Sequence, residues 1–536
     1  MSHICLNQSH KTAPSGKKIR ELSGNKQLTI SLMLPSRASD TEIQELIAAV
    51  QSGKRPPLSL KEREAVLGAR PQDIRKVMAE ARKHGLKVHK RDASARSHGM
   101  IRVTGTYARF QRFLPGVELH LYNDMKGNPF TGREGSINVL SGLPIQGVFG
   151  LDDRDVAHTN YQWHEPKPGF QAARKGAPSG LTSRGLAALQ GWNLTEMDKL
   201  VRVTGFLSLG GDLLKIVKDL ETLCKEAGIE TPEVKRISTD GVENGSYRDD
   251  ATVENALDLF AQALVNPSGA VLQFQAENSD DAFAGAAEAA IAHPGIKLGK
   301  RTVKLSVLSI SWGMAESGNT QQSLERWARI AASAQLAGID IVAATGDTGP
   351  KDSTRNYTPD APSCVGKGRA VIMGAAGIGI LTEDGETISE IVPWNDSSDS
   401  ETGYGISAVF PPTELEQGLN LPVSAETGKP GHSASVFSDI AQPASGPVVL
   451  WNKRRGQVGG TSHSAPLQGA KMAFLKTKYG ITSFTAFGYA NGPKIVDKIT
   501  RGDSSAPYPA DPGADYNVMT GFGVISEAKV GEVASR

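Results

Sequence analysis

The stretch Gly459-Gly460-Thr461-Ser462-His463-Ser464-Ala465-Pro466 holds a serine in a setting from which a hydroxyl can act as a nucleophile. The glycines let the chain turn sharply and leave room for a substrate backbone. A helix beginning here would place unsatisfied N–H groups beside Ser462, where they favour developing negative charge. Gly-Thr-Ser also occurs in ordinary loops, so the reading depends on what else the chain supplies.

It supplies carboxylates. Glu254 and Asp258 stand at i and i+4 in Thr252-Val253-Glu254-Asn255-Ala256-Leu257-Asp258-Leu259, so both project from one face of a helix. Like charges so placed repel by roughly 0.2–0.5 kcal/mol. The surrounding Leu257, Leu259, Phe260, Ala261 and Leu264 predict partial burial. Two buried carboxyls share a proton, which raises one pKa and makes a general base poised at acidic pH. Taken alone, the pair also fits the solvated face of an amphipathic helix. Asp347 ends the apolar run Ile339–Gly346 and precedes Thr348-Gly349. Such an Asp ordinarily closes an Asx turn or caps a helix. Protonated, it would instead donate to an oxyanion.

A Ser-His-Asp hydrolase needs an imidazole near its serine. His463 is next to Ser462 in sequence, and neighbours in a turn do not readily point at each other. His293 and His432 fall in loop-like surroundings and read as solvated. The chain has no His-Glu-x-x-His and no Gly-x-x-x-x-Gly-Lys, the zinc-hydrolase and phosphate-cradling patterns. A base for Ser462 is therefore expected to be a carboxylate.

The elements that must carry these residues lie in a chain long enough for two or three domains. Lys and Arg number 59 against 57 Asp and Glu, a formal charge of +2 that calls for no nucleic-acid or membrane partner. Cys5, Cys224 and Cys364 are too few and too scattered for a CxxC metal site or a disulfide scaffold. No run approaches the roughly 18 apolar residues of a membrane span. Met1–Thr29 lacks the apolar segment of a secretory signal, so export is not visibly encoded.

Residues 1–26 are rich in Ser, Lys and Asn and are expected to be a disordered lead. Residues 27–151 read as an α+β unit. It opens with a strand at Leu28–Leu34 and a helix from Asp40 capped by Asp40 or Thr41, and continues with a helix opened by Pro71 and strands near Val88, Val103 and Leu119. From Leu151 to about Pro178 the chain reads as an exposed linker, with Pro166, Pro168, Gly169 and Pro178 as breakers, and residues 152–200 as a whole read as linker and start of the mature chain. From 201 to 536 apolar strands alternate with helical segments: Val203–Gly211, Val271–Phe274, Leu305–Gly313 and Ile339–Asp347 against 213–227, 252–265, 281–292 and 321–337. This predicts an α/β fold, a parallel sheet with helices on both faces, whose ligands bind at the carboxyl ends of strands.

Glu254-x-x-x-Asp258, Ser309-Ile310-Ser311-Trp312-Gly313, Ala344-Thr345-Gly346-Asp347-Thr348-Gly349 and Gly459-Gly460-Thr461-Ser462-x-x-Ala465-Pro466 together resemble the sedolisins, serine-carboxyl peptidases of the kumamolisin type with a subtilisin-like fold. The N-terminal unit resembles their activation propeptide through Leu58-Ser59-Leu60-Lys61-Glu62, Gly68-Ala69-Arg70-Pro71-Gln72-Asp73-Ile74, Val103-Thr104-Gly105-Thr106 and Val148-Phe149-Gly150-Leu151-Asp152-Asp153-Arg154. The resemblance implies Ser462 as nucleophile, Glu254 as its base, Asp258 as the group that holds Glu254, and Asp347 as a protonated oxyanion partner beside the Ser462 N–H. It implies a self-processing proenzyme that cleaves protein or peptide substrates at acidic pH, a propeptide that blocks the cleft, a monomer, and extracellular action.

Departures from the family pattern matter. Ser208 stands where some members carry a glutamate, and Gly374-Ala375-Ala376 where Gly-Gly-Thr is usual. The family's calcium segment reads here Lys498-Ile499-Thr500-Arg501-Gly502 and Tyr516-Asn517-Val518-Met519-Thr520-Gly521-Phe522-Gly523. Lys498 replaces one carboxylate ligand and Asn517 weakens another, whereas calcium wants six to eight oxygens with charge among them. The Lys498 ammonium is expected in the ion's place, bonded to carbonyls and to Asp515 or Asn517, with Asp497 one position off register; no cofactor is required. Two further readings stay open: a catalytically impaired homologue that binds peptides, and a subtilase with a hidden histidine.

Overall fold

Successive residues of each apolar run face opposite layers. Phe206 and Leu207, Val271 and Leu272, Val307 and Leu308, Val342 and Ile341 each divide between two buried clusters, as strand periodicity requires. The helices Leu213–Glu226, Asp249–Ala263 and Thr461–Tyr479 cover one face, and Asp280–Ala292 and Gln321–Ala337 cover the other. This computed structural model describes all residues except 1, 90–91, 160, 165–180, 240–248, 352–356, 398–399 and 452–453.

The sheet has ten strands, ordered Glu233–Ser238, Ala270–Ala276, Val203–Leu209, Leu305–Ile310, Asp340–Ala344, Met373–Thr382, Ser435–Ile440, Val524–Ile525 and Val496–Asp497, with Ile388–Pro393 beside Met373–Thr382. Neighbours from Glu233–Ser238 through Val524–Ile525 are parallel. Val496–Asp497 and Ile388–Pro393 are antiparallel additions. The expected parallel sheet with helices on both faces is present.

Ahead of it, Gln27–Met33 pairs with Met100–Thr106 and with Gly147–Phe149, and Lys87–Val88 completes a four-stranded antiparallel sheet. Asp40–Gln51 and Leu60–Leu67 start from Ser39 and Ser59, each in a capping box with Glu42 or Glu62. The cap of the first helix is thus Ser39, not Asp40 or Thr41. Ser39 lies in β conformation and accepts from the Glu42 N–H. Pro71–Lys83 follows, with Pro71 in its first turn.

The two domains share apolar core. Ile43, Ile47, Leu58 and Leu67 belong to the same buried cluster as Ala286, Ala290, Trp327 and Ala331. Side chains of the larger domain then satisfy backbone groups of the smaller one. The Gln322 amide donates to Val148 O at 2.8 Å and accepts from Val148 N at 3.1 Å, closing the edge strand Gly147–Phe149. Arg329 donates to Leu34 O and His98 O, and Arg63 reaches back to Ile291 O at 3.0 Å. Arg326 joins Asp281 and Glu288 beneath the Phe149 ring, 4.7 Å from its centroid, while Ser31 donates to Asp281 at 2.9 Å.

The expected disorder of residues 1–26 is a correction. His3–Lys11 pairs with Gly135–Leu140, and Lys17–Glu21 with His120–Asn123. Backbone ladders hold these strands, and their mostly exposed side chains leave no apolar pattern to read. Within 152–200 the breakers Pro166, Pro168, Gly169 and Pro178 lie outside the described residues. Residues 183–199 follow the stretch expected to be exposed linker. They form the helices Ser183–Leu189 and Leu194–Lys199, with Leu186, Ala187, Trp192 and Met197 buried in the large domain.

His98 sits fully buried at this junction. Its Nδ1 lies 3.0 Å from Ser94 O and 3.1 Å from Ser97 Oγ, and Nε2 has no partner among the described residues. Burial holds its pKa below 6.5, with Arg63 and Arg326 adding to the effect and Glu288 opposing it. A depressed histidine favours the native state above its unfolded pKa, and that contribution is lost as pH falls from about 6.5 toward the lower folded value. His98→Gln is expected to lose less thermal stability than the parent between about pH 7 and about pH 5. Parallel losses in the two proteins would show that His98 does not titrate with unfolding.

Candidate active site

Ser462 lies in the first turn of Thr461–Tyr479, whose N-cap Gly460 has φ 116°, a conformation that favours glycine. Pro466 lacks an N–H, so the Ser462 carbonyl loses its helical donor. Ser311, just beyond the strand Leu305–Ile310, sits against that carbonyl at 3.4 Å. The same Ser311 hydroxyl gives its short bond, 2.6 Å, to Asp258 Oδ1. In return Ser462 Oγ donates to Ser311 O at 3.3 Å. One residue at a strand's carboxyl end thus ties the serine helix to the carboxylate helix.

That helix, Asp249–Ala263, is not amphipathic as placed. Residues 251–265 are buried on every face between the sheet, the serine helix and neighbouring segments. Glu254 and Asp258 therefore have no solvated face and are both fully buried. Neither forms an ion pair among the described residues, and neither Glu254 carboxyl oxygen has a hydrogen-bond partner at bonding distance. Burial pushes the Glu254 carboxyl well above its usual range. The charges of Asp258 and Asp347 push it further, while the Ser462 and Ser311 hydroxyls pull the other way. Burial also raises Asp258, and the Ser311 bond opposes it. Both carboxyls are thus shifted toward their protonated forms.

Asp347 follows Asp340–Ala344 at the sheet's carboxyl edge. Its Oδ1 accepts from Thr461 N at 2.8 Å and Thr461 Oγ1 at 2.9 Å, so it does cap the serine helix, from another segment. Thr461 Oγ1 also accepts from Gly346 N at 3.1 Å, fixing the strand end to the helix start. Behind it Glu401 donates its N–H to Asp347 O, and burial pushes the Glu401 carboxyl up to about 7.

Ser311 and Thr461 thus link the segments that carry Asp258, Ser462 and Asp347, and the Ser462 hydroxyl itself donates to Ser311 O. The sequence assigned Ser311 no role of its own, although it lies in the Ser309-Ile310-Ser311-Trp312-Gly313 motif. The histidines fall elsewhere. His463 is buried and turned inward, with Nδ1 2.7 Å from Ile440 O and Nε2 3.1 Å from Ser183 Oγ, and burial lowers its pKa to about 4. His432 is not solvated. It is fully buried, with Nδ1 2.9 Å from Glu416. His293 is partly buried against Phe274. Ser208 turns to Gly210 O at 2.7 Å.

The cleft already holds chain. His158–Thr159 pairs antiparallel with Gly313 and Trp312, and Gln162–His164 with Gly459, Val458 and Gln457. Asn278 clamps the preceding backbone, accepting from Val156 N and Ala157 N and donating to Ala157 O at 2.7 Å.

The residues at the degenerate calcium segment do not fit the ion. Lys498 donates to Gly513 O at 3.0 Å and pairs with Asp515. Asp497, the off-register candidate, pairs with Lys529 at 2.8 Å. Asn517 is not a Lys498 partner. It bonds the Asp511 backbone through both ends of its amide. An ammonium supplies no lone pair and repels a dication.

A family model described as the pro-kumamolisin activation domain matches residues 14–154. Kumamolisin of Bacillus sp. (strain MN-32) is 27% identical over 97% of this chain and 94% of its own. A Pseudomonas sedolisin, a serine-carboxyl proteinase solved with two molecules of pseudo-iodotyrostatin, superposes with a TM-score of 0.55 at 18% identity, over 67% of this chain and 98% of its own.

Two outcomes are expected. Chelation should leave the melting temperature unchanged, and elemental analysis should find no calcium; tightly held stoichiometric calcium would contradict the lysine assignment. Glu254→Gln should melt higher than the parent at neutral pH. A raised carboxyl pKa takes stability away as pH climbs from the unfolded value of about 4.5 through the folded one, so the difference should vanish at low pH. A variant less stable than the parent at neutral pH would mean that Glu254 is not strained there.

Proposed function

The chain is a sedolisin-family proenzyme, and from that premise we propose that it is an endopeptidase acting at acidic pH through Ser462, Glu254, Asp258 and Asp347. The reading is supported by a serine whose helix is tied through Ser311 to a buried carboxyl pair and is capped by a third carboxyl, Asp347.

In this reading Ser462 Oγ adds to the peptide carbonyl while its proton passes to Glu254. Glu254 then returns the proton to the leaving amine, and water releases the acyl group by the reverse route. Asp258 keeps the pair's remaining proton and aligns Glu254; Ser311 holds Asp258 through the 2.6 Å bond. The oxyanion forms beside the Ser462 N–H at the helix start. Thr461 supplies two donors to Asp347 Oδ1, so Oδ2 is the oxygen that would carry a proton toward the oxyanion. A charged Asp347 would repel that oxyanion. Both roles need protons held on carboxyls, which supports an acidic range and loss of activity as pH rises. The N-terminal domain and the segment paired in the cleft support a precursor whose cleft is blocked until the chain is cut.

Ser462→Ala should lower kcat/KM on casein at acidic pH by about 10⁴-fold or more. Glu254→Gln should do nearly the same, and Asp347→Asn should cost about 10²–10³-fold. Casein left intact by the parent, with peptides still bound, would instead mark a catalytically impaired homologue.

A further inference from the structure

The strand Val203–Leu209 runs into Gly210-Gly211, and its ladder with Ala270–Ala276 stops at Leu209. Carbonyls beyond the end of a ladder need donors from elsewhere. Side chains supply them here. Ser208 Oγ and Asn255 Nδ2 both donate to Gly210 O, at 2.7 and 3.0 Å, and Gln275 Nε2 donates to Gly211 O at 3.2 Å. Asp212 N adds a bond to Thr252 Oγ1 at 3.2 Å. The turn therefore lies against the carboxylate helix Asp249–Ala263, over residues 251–255. Gly211 permits the approach. Its φ is 78°, and a Cβ on it would collide with the Asn255 amide and stand 2.8 Å from Ala251 O.

Asn255 directly follows Glu254 and stands three residues before Asp258. It is fully buried, and its Oδ1 has no partner among the described residues. An amide buried with one end unbonded costs stability relative to an apolar side chain of the same size. Nor does Gly210 O depend on it, because Ser208 donates to the same oxygen. Stability therefore does not account for Asn255, and position does. Asp258 is held by its 2.6 Å side-chain bond from Ser311, whereas neither oxygen of Glu254 has a partner at bonding distance. Where Glu254 stands is left to its backbone, and Asn255 bonds that turn of helix to the end of a strand.

We propose that Asn255 is the positioning residue for Glu254, acting through Gly210 to fix the helical turn that carries the base at the carboxyl end of the sheet. This rests on the peptidase reading of Ser462 and Glu254. In that reading Glu254 receives the Ser462 proton and passes it to the leaving amine. Each transfer needs heavy atoms within about 3 Å of one another, and a displacement of about 1 Å costs about 10²-fold in rate. Asn255 carries no charge. An uncharged replacement therefore leaves in place the charges of Asp258 and Asp347 that act on Glu254. What changes is where the base stands.

The test compares the parent with Asn255→Leu and Asn255→Ala, each as the full-length chain activated in mild acid, by melting temperature and by initial rates on a casein-derived peptide. Asn255→Leu keeps the volume and drops the donor. It is expected to melt no lower than the parent, while kcat falls about 10–100-fold and KM stays within about twofold. Should leucine not fit, Asn255→Ala must show the same split between kcat and KM. Leu223→Ala removes packing from the adjoining buried cluster without touching the turn; it should melt lower, with kcat within about threefold of the parent. A kcat within about threefold of the parent in both Asn255 variants would overturn this inference and leave the peptidase reading standing. So would a loss of kcat that Leu223→Ala reproduces, since general loosening would then explain it. A parent without Ser462-dependent hydrolysis of the peptide overturns both.

Discussion

Two carboxyls buried without an ion pair, beside one serine hydroxyl, are the constraint on which the rest of this structure turns. An ionised carboxylate taken out of water is costly, and proteins usually answer by pairing it or protonating it. Glu254 and Asp258 have no cation partner among the described residues, so protonation is the answer here. In the proposed mechanism, a proton held by one member is what would leave the other to act as a base. The features that look like defects are the ones that maintain this state. The carboxylate helix is buried on all sides, a proline within the serine helix removes one of its backbone donors, and the Ser311 hydroxyl supplies Asp258's short bond. Histidine has no part in it, because His463, the one imidazole beside Ser462 in sequence, is turned into the core as a neutral hydrogen-bonding group.

The same sheet that positions these groups also explains the precursor. The N-terminal domain is joined to the large domain by shared apolar core and by side chains that complete its backbone, as Gln322 does for Val148. Docked there, it leads into the following segment, which pairs by its main chain with Trp312–Gly313 and with Gln457–Gly459. Blocking and presentation are thus one geometry. A peptide substrate arriving later would use the edges that the precursor's own chain occupies.

Much of this was legible in the sequence, for identifiable reasons. The i, i+4 spacing of Glu254 and Asp258, the strand-end Asp347 and the Gly-Gly-Thr-Ser turn are local patterns, and the backbone geometry of helix and strand fixes where such residues point. The apolar runs from Val203 onward revealed the parallel sheet because strands buried on both faces have little polar residue content. What escaped lacked such a local signal. His3–Lys11 and Lys17–Glu21 are polar strands held by ladders. Ser183–Leu189 and Leu194–Lys199 are short, and their burial depends on a distant helix. Ser311 and Asn278 take their meaning from partners far away in sequence. His432 reads as a surface residue until Glu416 is found beside it.

The most direct test of the buried, proton-sharing pair is infrared difference spectroscopy of the Ser462→Ala protein, with and without Glu254→Gln and Asp258→Asn, as pH is raised. The account predicts a carbonyl stretch of a protonated carboxylic acid that persists well above the usual carboxylate range and disappears when both acids are replaced. Full ionisation of both carboxyls at the pH of ordinary surface acids would contradict it.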